Sequence, residues 1–148
     1  MAACVFGFIA VALGAFGAHG LKKILETSKP NILNETVDAL NKSVANQFSI
    51  RDTLDIWNKG ISYQFYHVFA LLACGLLYAH LPAPQVRWAT GLFIAGIIGF
   101  SGSLYGLTWM KISGAESVGK IIGPITPLGG LCFLGGWICL LLAVLKIK

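Results

Sequence analysis

Four apolar runs, at about residues 2–21, 61–81, 88–110 and 126–146, contain no Asp, Glu, Lys or Arg apart from Lys146 at the outer edge of the last. Each reaches the ~20 residues needed to cross a ~30 Å hydrocarbon layer. Backbone N–H and C=O groups cannot stay unpaired in lipid, so such runs cross as helices. Composition agrees: the chain is 56% hydrophobic and 11% charged, against about 25% charged in a soluble domain. So few charges cannot cover a water-soluble fold of 148 residues. The fold expected is all-α, a single polytopic membrane domain built as a four-transmembrane-helix bundle.

The net charge of +5 does not point to nucleic acid. The bases are scattered singly at the ends of the apolar runs, and only Lys22 and Lys23 are adjacent. That pattern anchors a protein at anionic headgroups and sets its topology. Membrane lipids are therefore the first expected partners. Cys4, Cys74, Cys132 and Cys139 all lie in apolar runs without a CxxC pair, and read as small hydrophobes. The first run has no basic stretch before it, while Lys22-Lys23 follow it. It reads as a retained membrane helix, not a cleaved signal.

The connections are unequal. Leu81-Pro82-Ala83-Pro84-Gln85 is a tight, proline-marked turn, and residues 111–123 form a short polar loop. The first connection, residues 22–60, holds five of the six acids. Within it Leu33, Val37, Leu40 and Val44 recur at helical spacing after a potential cap at Asn34. Ser49-Ile50-Arg51-Asp52 has the form of a capping box with Asp in place of Glu. Leu54, Trp57 and Ile61 then carry an apolar stripe into the second run. An amphipathic helical insertion over about residues 32–60 is expected between helices 1 and 2. It either lies at the interface with Trp57 among the headgroups or forms a lid packed on protein. The sequons Asn34-Glu35-Thr36 and Asn41-Lys42-Ser43 read as chance occurrences.

Four crossings place both termini on one face. The opposite face collects Lys22, Lys23, Lys29, Lys42, Arg51, Lys59, Lys111 and Lys120, against Arg87, Lys146 and Lys148 on the terminal face. The positive-inside rule then puts the loops in the cytoplasm or matrix and the termini on the other side.

Small residues recur along the first run (Ala3, Gly7, Ala10, Gly14, Ala18) and the third (Gly91, Ala95, Gly99, Ser103), and glycines stud the fourth. Lipid supplies no hydrophobic push between helices, so small residues that admit close backbone approach predict a tightly packed bundle.

Chain reversal at each crossing also gathers polar residues toward the loop-side leaflet. His19 lies at the exit of the first run; Tyr63, Gln64 and His67 lie near the entry of the second; Ser101, Ser103 and Tyr105 lie in the exit half of the third; and Thr126 opens the fourth. Buried polar groups in lipid need partners. An interhelical hydrogen-bond network accounts for this set. A pocket for a lipid headgroup, quinone or proton relay, or a haem held by His19 and His67, are the alternatives. Two histidines do not complete a zinc shell, and no membrane run contains an Asp or Glu. No cofactor is therefore expected. No dinucleotide or phosphate loop, HExxH motif or nucleophile elbow occurs.

The segments Gly14-Ala15-Phe16-Gly17-Ala18-His19-Gly20-Leu21, Tyr63-Gln64-Phe65-Tyr66-His67, Phe100-Ser101-Gly102-Ser103-Leu104-Tyr105 and Ile125-Thr126-Pro127-Leu128-Gly129-Gly130, with Gly136-Trp137, together resemble the domain-of-unknown-function 423 family, which includes the transmembrane protein 256 group. The resemblance runs through all four apolar runs in order. It implies four helices and an inner-membrane location, bacterial or mitochondrial, with no defined reaction. The first connection departs from it, being well over twice the length expected of the family. The resulting expectation is a non-catalytic accessory or structural subunit of a larger, respiratory or other, inner-membrane complex, with other membrane-protein subunits as partners. The alternative is a small-ligand, lipid or quinone binding or transport protein.

Overall fold

The computed structural model describes residues 1–27, 37–115 and 122–146. They form four long helices: α1 (Ala2–Thr27), α2 (Val37–His80), α3 (Pro84–Ser113) and α4 (Ile125–Val144). Each contains a stretch long and apolar enough to cross a membrane. The chain is thus an all-helical integral membrane protein with four spans.

The helix ends follow local chemistry. Ala83 is extended, with ψ at 143°, because the following proline ring excludes the helical region from it. Pro84 then starts α3, where its missing N–H costs nothing. Gly114 ends α3 in the left-handed conformation, φ 74°.

The amphipathic stretch expected over residues 32–60, as an interfacial helix or a lid packed on protein, is from Val37 onward continuous with the second span. α2 runs for 44 residues without a break, roughly 66 Å at 1.5 Å per residue. Ser49 therefore caps nothing: it sits inside the helix, where its carbonyl accepts the Thr53 hydroxyl at 2.7 Å. The exposed ladder Arg51, Asp52, Asp55 and Lys59 covers the outer side of this part. Trp57 packs on protein. Its indole is buried, packed against Phe16 and Tyr105, and its Nε1–H donates to the Leu13 carbonyl at 3.1 Å. The expected cap at Asn34 and the first sequon lie outside the described residues.

α2 is the hub. α1 lies antiparallel along it, with Gly7 against Val68 and Gly14 against Ile61. α3 packs on both α2 and α4. The α3–α4 seam is where small residues matter most. Phe133 of α4 lies over Gly96, and Phe93 of α3 lies over Gly136. Alongside these notches Gly129 meets the backbone of Gly99 and Phe100 directly. Two helices without side chains at the crossing approach closely enough for backbone contact.

Each of α1 and α3 contains one π-helical turn, Gly17–Leu21 and Ile97–Ser101. A π turn inserts one extra residue and re-aims the side chains beyond it. In α1 it sits where Gly17 lets the Trp57 ring rest on the backbone; a Cβ there would lie 2.5 Å from the indole nitrogen. Further along, Leu21 and Leu25 continue inward against Ile50 and Leu54 of α2 and Ile112 of α3.

Candidate functional site

The polar residues of the loop-side leaflet resolve into three separate contacts. The first joins three helices through Gln64, which is almost fully buried. Its Nε2 donates to the Phe6 carbonyl of α1 at 2.7 Å. Its Oε1 accepts the Tyr105 hydroxyl of α3 at 2.8 Å. Gly60, one turn before Gln64, makes room for the Tyr105 ring, which lies 2.8 Å from where a Cβ would stand.

The second contact joins α3 to the start of α4. The Ser103 and Thr126 hydroxyls are 2.7 Å apart, and Ser103 Oγ also reaches the Phe100 carbonyl at 2.8 Å.

The third surrounds His67, which is buried in an aromatic cage. Its ring lies face to face on Phe133, with centroids 3.4 Å apart and planes at 7°. Phe93 closes another side at 5.5 Å. Nδ1 is 2.7 Å from the Tyr63 carbonyl. A carbonyl only accepts, so Nδ1 carries the proton and donates. Nε2 is then the acceptor, and the Trp137 Nε1–H donates to it across 3.4 Å. Both nitrogens are engaged, so no open lone pair is presented to a metal or haem.

His19 does not join the group. It lies exposed on the first π turn, so the His19–His67 pairing weighed as an alternative for haem is not assembled by these contacts. Tyr63 contributes its carbonyl, while its ring is 42% exposed and lies against Phe100 and Phe133. Ser101 is fully buried, as is Thr108, two turns along the same helix; neither hydroxyl has a hydrogen-bond partner among the described residues. Phe93, Phe133 and Trp137, which build the cage, carry no chemical signal in the sequence, since apolar aromatics in a membrane helix read equally as lipid-facing. Among the described residues no group of three or more His, Cys, Asp or Glu is placed to hold a metal.

Gln64, His67 and the Ser103–Thr126 pair thus link helices within a four-span helical membrane protein, the class this fold and this polar interior define. The chain belongs to the family described as "Protein of unknown function (DUF423)", which matches residues 13–130, as the motifs along its four spans predict. It is 39% identical to a UPF0382 membrane protein of Staphylococcus aureus (strain bovine RF122 / ET3-1), over 93% of this chain and 87% of the relative. Identity is 34% to UPF0382 membrane protein YwdK of Bacillus subtilis (strain 168), over 93% and 88% of the two chains. It is 32% to a UPF0382 membrane protein of Schizosaccharomyces pombe (strain 972 / ATCC 24843), over 94% of each. No solved structure matches the chain.

Proposed function

We propose that the chain is a non-catalytic accessory or structural subunit of a larger inner-membrane complex, bacterial or mitochondrial. Its termini would lie on the non-cytoplasmic, or non-matrix, side. One observation carries the reading. α2 continues as helix through residues 37–48, beyond Ile50, the outermost α2 residue of the cluster built on α1 and α3. On this arm Val44, Ala45 and Gln47 are exposed, and a helix gains most of its stability from what packs on its faces. The polar interior supports the same reading, because Gln64, Tyr105, Ser103, Thr126 and His67 bond to groups within the bundle.

The test is photo-crosslinking in intact membranes from a reactive side chain at Val44 or Gln47, followed by purification in mild detergent. The subunit reading expects one dominant heteromeric adduct that is lost when residues 37–48 are replaced by a flexible polar linker. A single small homo-oligomer with no adduct would overturn it. Respiratory assemblies are the first place to look for the partner.

A second reading, binding of a lipid, quinone or small solute in the loop-side leaflet, draws on the unpaired hydroxyls of Ser101 and Thr108. Buried polar groups without partners are uncommon. Under that reading Ser101→Ala with Thr108→Val abolishes retention of the ligand while the protein stays folded.

A further inference from the structure

A second feature lies at the other end of the bundle, away from the polar residues. It is a groove of about 1100 Å³ walled by the last turns of α2 and the first turns of α3. Leu71, Gly75 and Tyr78 line one wall, Arg87, Gly91 and Ile94 the other, and the first residues of α1 close one end. Leu71 to Tyr78 and Arg87 to Ile94 each span seven residues, so the groove runs roughly 10 Å along the helices. That is about two thirds of one leaflet of a ~30 Å hydrocarbon layer.

Its chemistry is graded along that length. The deep part is apolar, with Leu71 and Ile94. The shallow part carries the phenol of Tyr78 and the guanidinium of Arg87 beside the Leu81–Ala83 turn, where the chain leaves the bilayer. Among the described residues every Asp and Glu, namely Glu26, Asp38, Asp52 and Asp55, belongs to the far ends of α1 and α2, away from this groove. Arg87 therefore has no carboxylate side chain beside it among the described residues. An arginine above an apolar slot, with no described carboxylate beside it, is complementary to a lipid whose headgroup is net negative and whose acyl chain can lie in the slot.

We infer that this groove holds a single anionic phospholipid, with its phosphate on Arg87 and Tyr78 and one acyl chain lying between α2 and α3. The space is kept open by glycine. A Cβ at Gly75 or at Gly91 meets nothing within 4 Å, so these two positions preserve the slot and are not needed for helix contact.

That property gives a clean test. The full-length protein is reconstituted in mixed micelles of equimolar phosphatidylglycerol and phosphatidylcholine, and the retained lipid is read by native mass spectrometry. Wild type should retain one phosphatidylglycerol, preferred by roughly fivefold, the scale of one basic residue at an anionic surface. Arg87→Gln should bring the two lipids to equal retention. Gly91→Leu, and independently Gly75→Leu, should remove the retained lipid of either kind, each placing a side chain in the slot from a position whose Cβ meets no protein atom within 4 Å. Gly102→Leu, also in open space but in the other leaflet, should behave as wild type. Equal retention of both lipids by wild type would overturn the inference. So would a phosphatidylglycerol preference that survives in a folded Gly75→Leu or Gly91→Leu variant. If either leucine variant is not recovered folded, the other and Arg87→Gln still decide the matter.

Discussion

Tyr105 and Gln64 are 41 residues apart in sequence and meet hydroxyl to amide oxygen at 2.8 Å inside the bundle, while the other end of the same amide donates to the Phe6 carbonyl. One side chain thereby ties α1, α2 and α3 at a single level. Gln64 is buried, so removing either partner leaves the other's polar group without this bond inside the bundle.

Tyr105→Phe and Gln64→Leu should each lower stability by about 1–2 kcal/mol, the cost of orphaning one buried polar group. The double variant should cost less than the sum by about 0.5–1 kcal/mol, because no orphan remains on the Tyr105 side. Equilibrium unfolding in mixed micelles measures all three. Strict additivity would mean that the bond is not formed in the membrane.

Glycines in the bundle should divide sharply by what stands over them. Gly129→Ala drives a methyl group into the backbone of Gly99 and Phe100, which cannot retreat without separating α3 from α4. A loss of about 3 kcal/mol or more is expected, at the upper end for overpacking. Gly102→Ala meets open space and should raise stability by about 0.5–1 kcal/mol through helix propensity. Thermal denaturation of the two purified proteins separates these outcomes.

The four tryptophans offer a direct reading of Trp57. Trp88 and Trp109 are 69% and 60% exposed, whereas Trp57 is 6% exposed. In single-tryptophan variants, lipids brominated on their acyl chains should quench Trp88 and Trp109 strongly and Trp57 weakly. Strong quenching of Trp57 would mean that its indole faces lipid and that its bond to the Leu13 carbonyl is absent.

Phe133→Ala removes the ring that stacks on His67 and fills the notch over Gly96. In a water-soluble core the loss would be about 3–5 kcal/mol. Within a bilayer the transfer part largely disappears, since lipid is as apolar as the interior. The expected cost is therefore about half, roughly 2 kcal/mol, from lost packing and stacking. A shift in Trp137 emission should accompany it, because His67 then loses the support that aligns its Nε2 with the indole. An unchanged spectrum would show that the cage does not hold the histidine.

The positions of the spans were legible in the sequence because the bilayer imposes a length and excludes charge, and both are one-dimensional properties. Gln64, His67, Ser103, Tyr105 and Thr126 were legible as polar side chains in apolar runs, which need hydrogen-bond partners inside the bundle. Which polar group meets which was decided by the tertiary structure. Helical periodicity fixes the face a residue occupies but not its neighbour, and the π turns at Gly17–Leu21 and Ile97–Ser101 alter even the face. So His19, placed with the cluster by depth, points outward, while Phe93, Phe133 and Trp137, chemically silent in the sequence, enclose His67. The continuity of α2 from Val37 to His80 was hidden for the same reason. The Ser49–Asp52 pattern that resembles a helix start is a local signal, and it yields once the surrounding turns pack on α1 and α3.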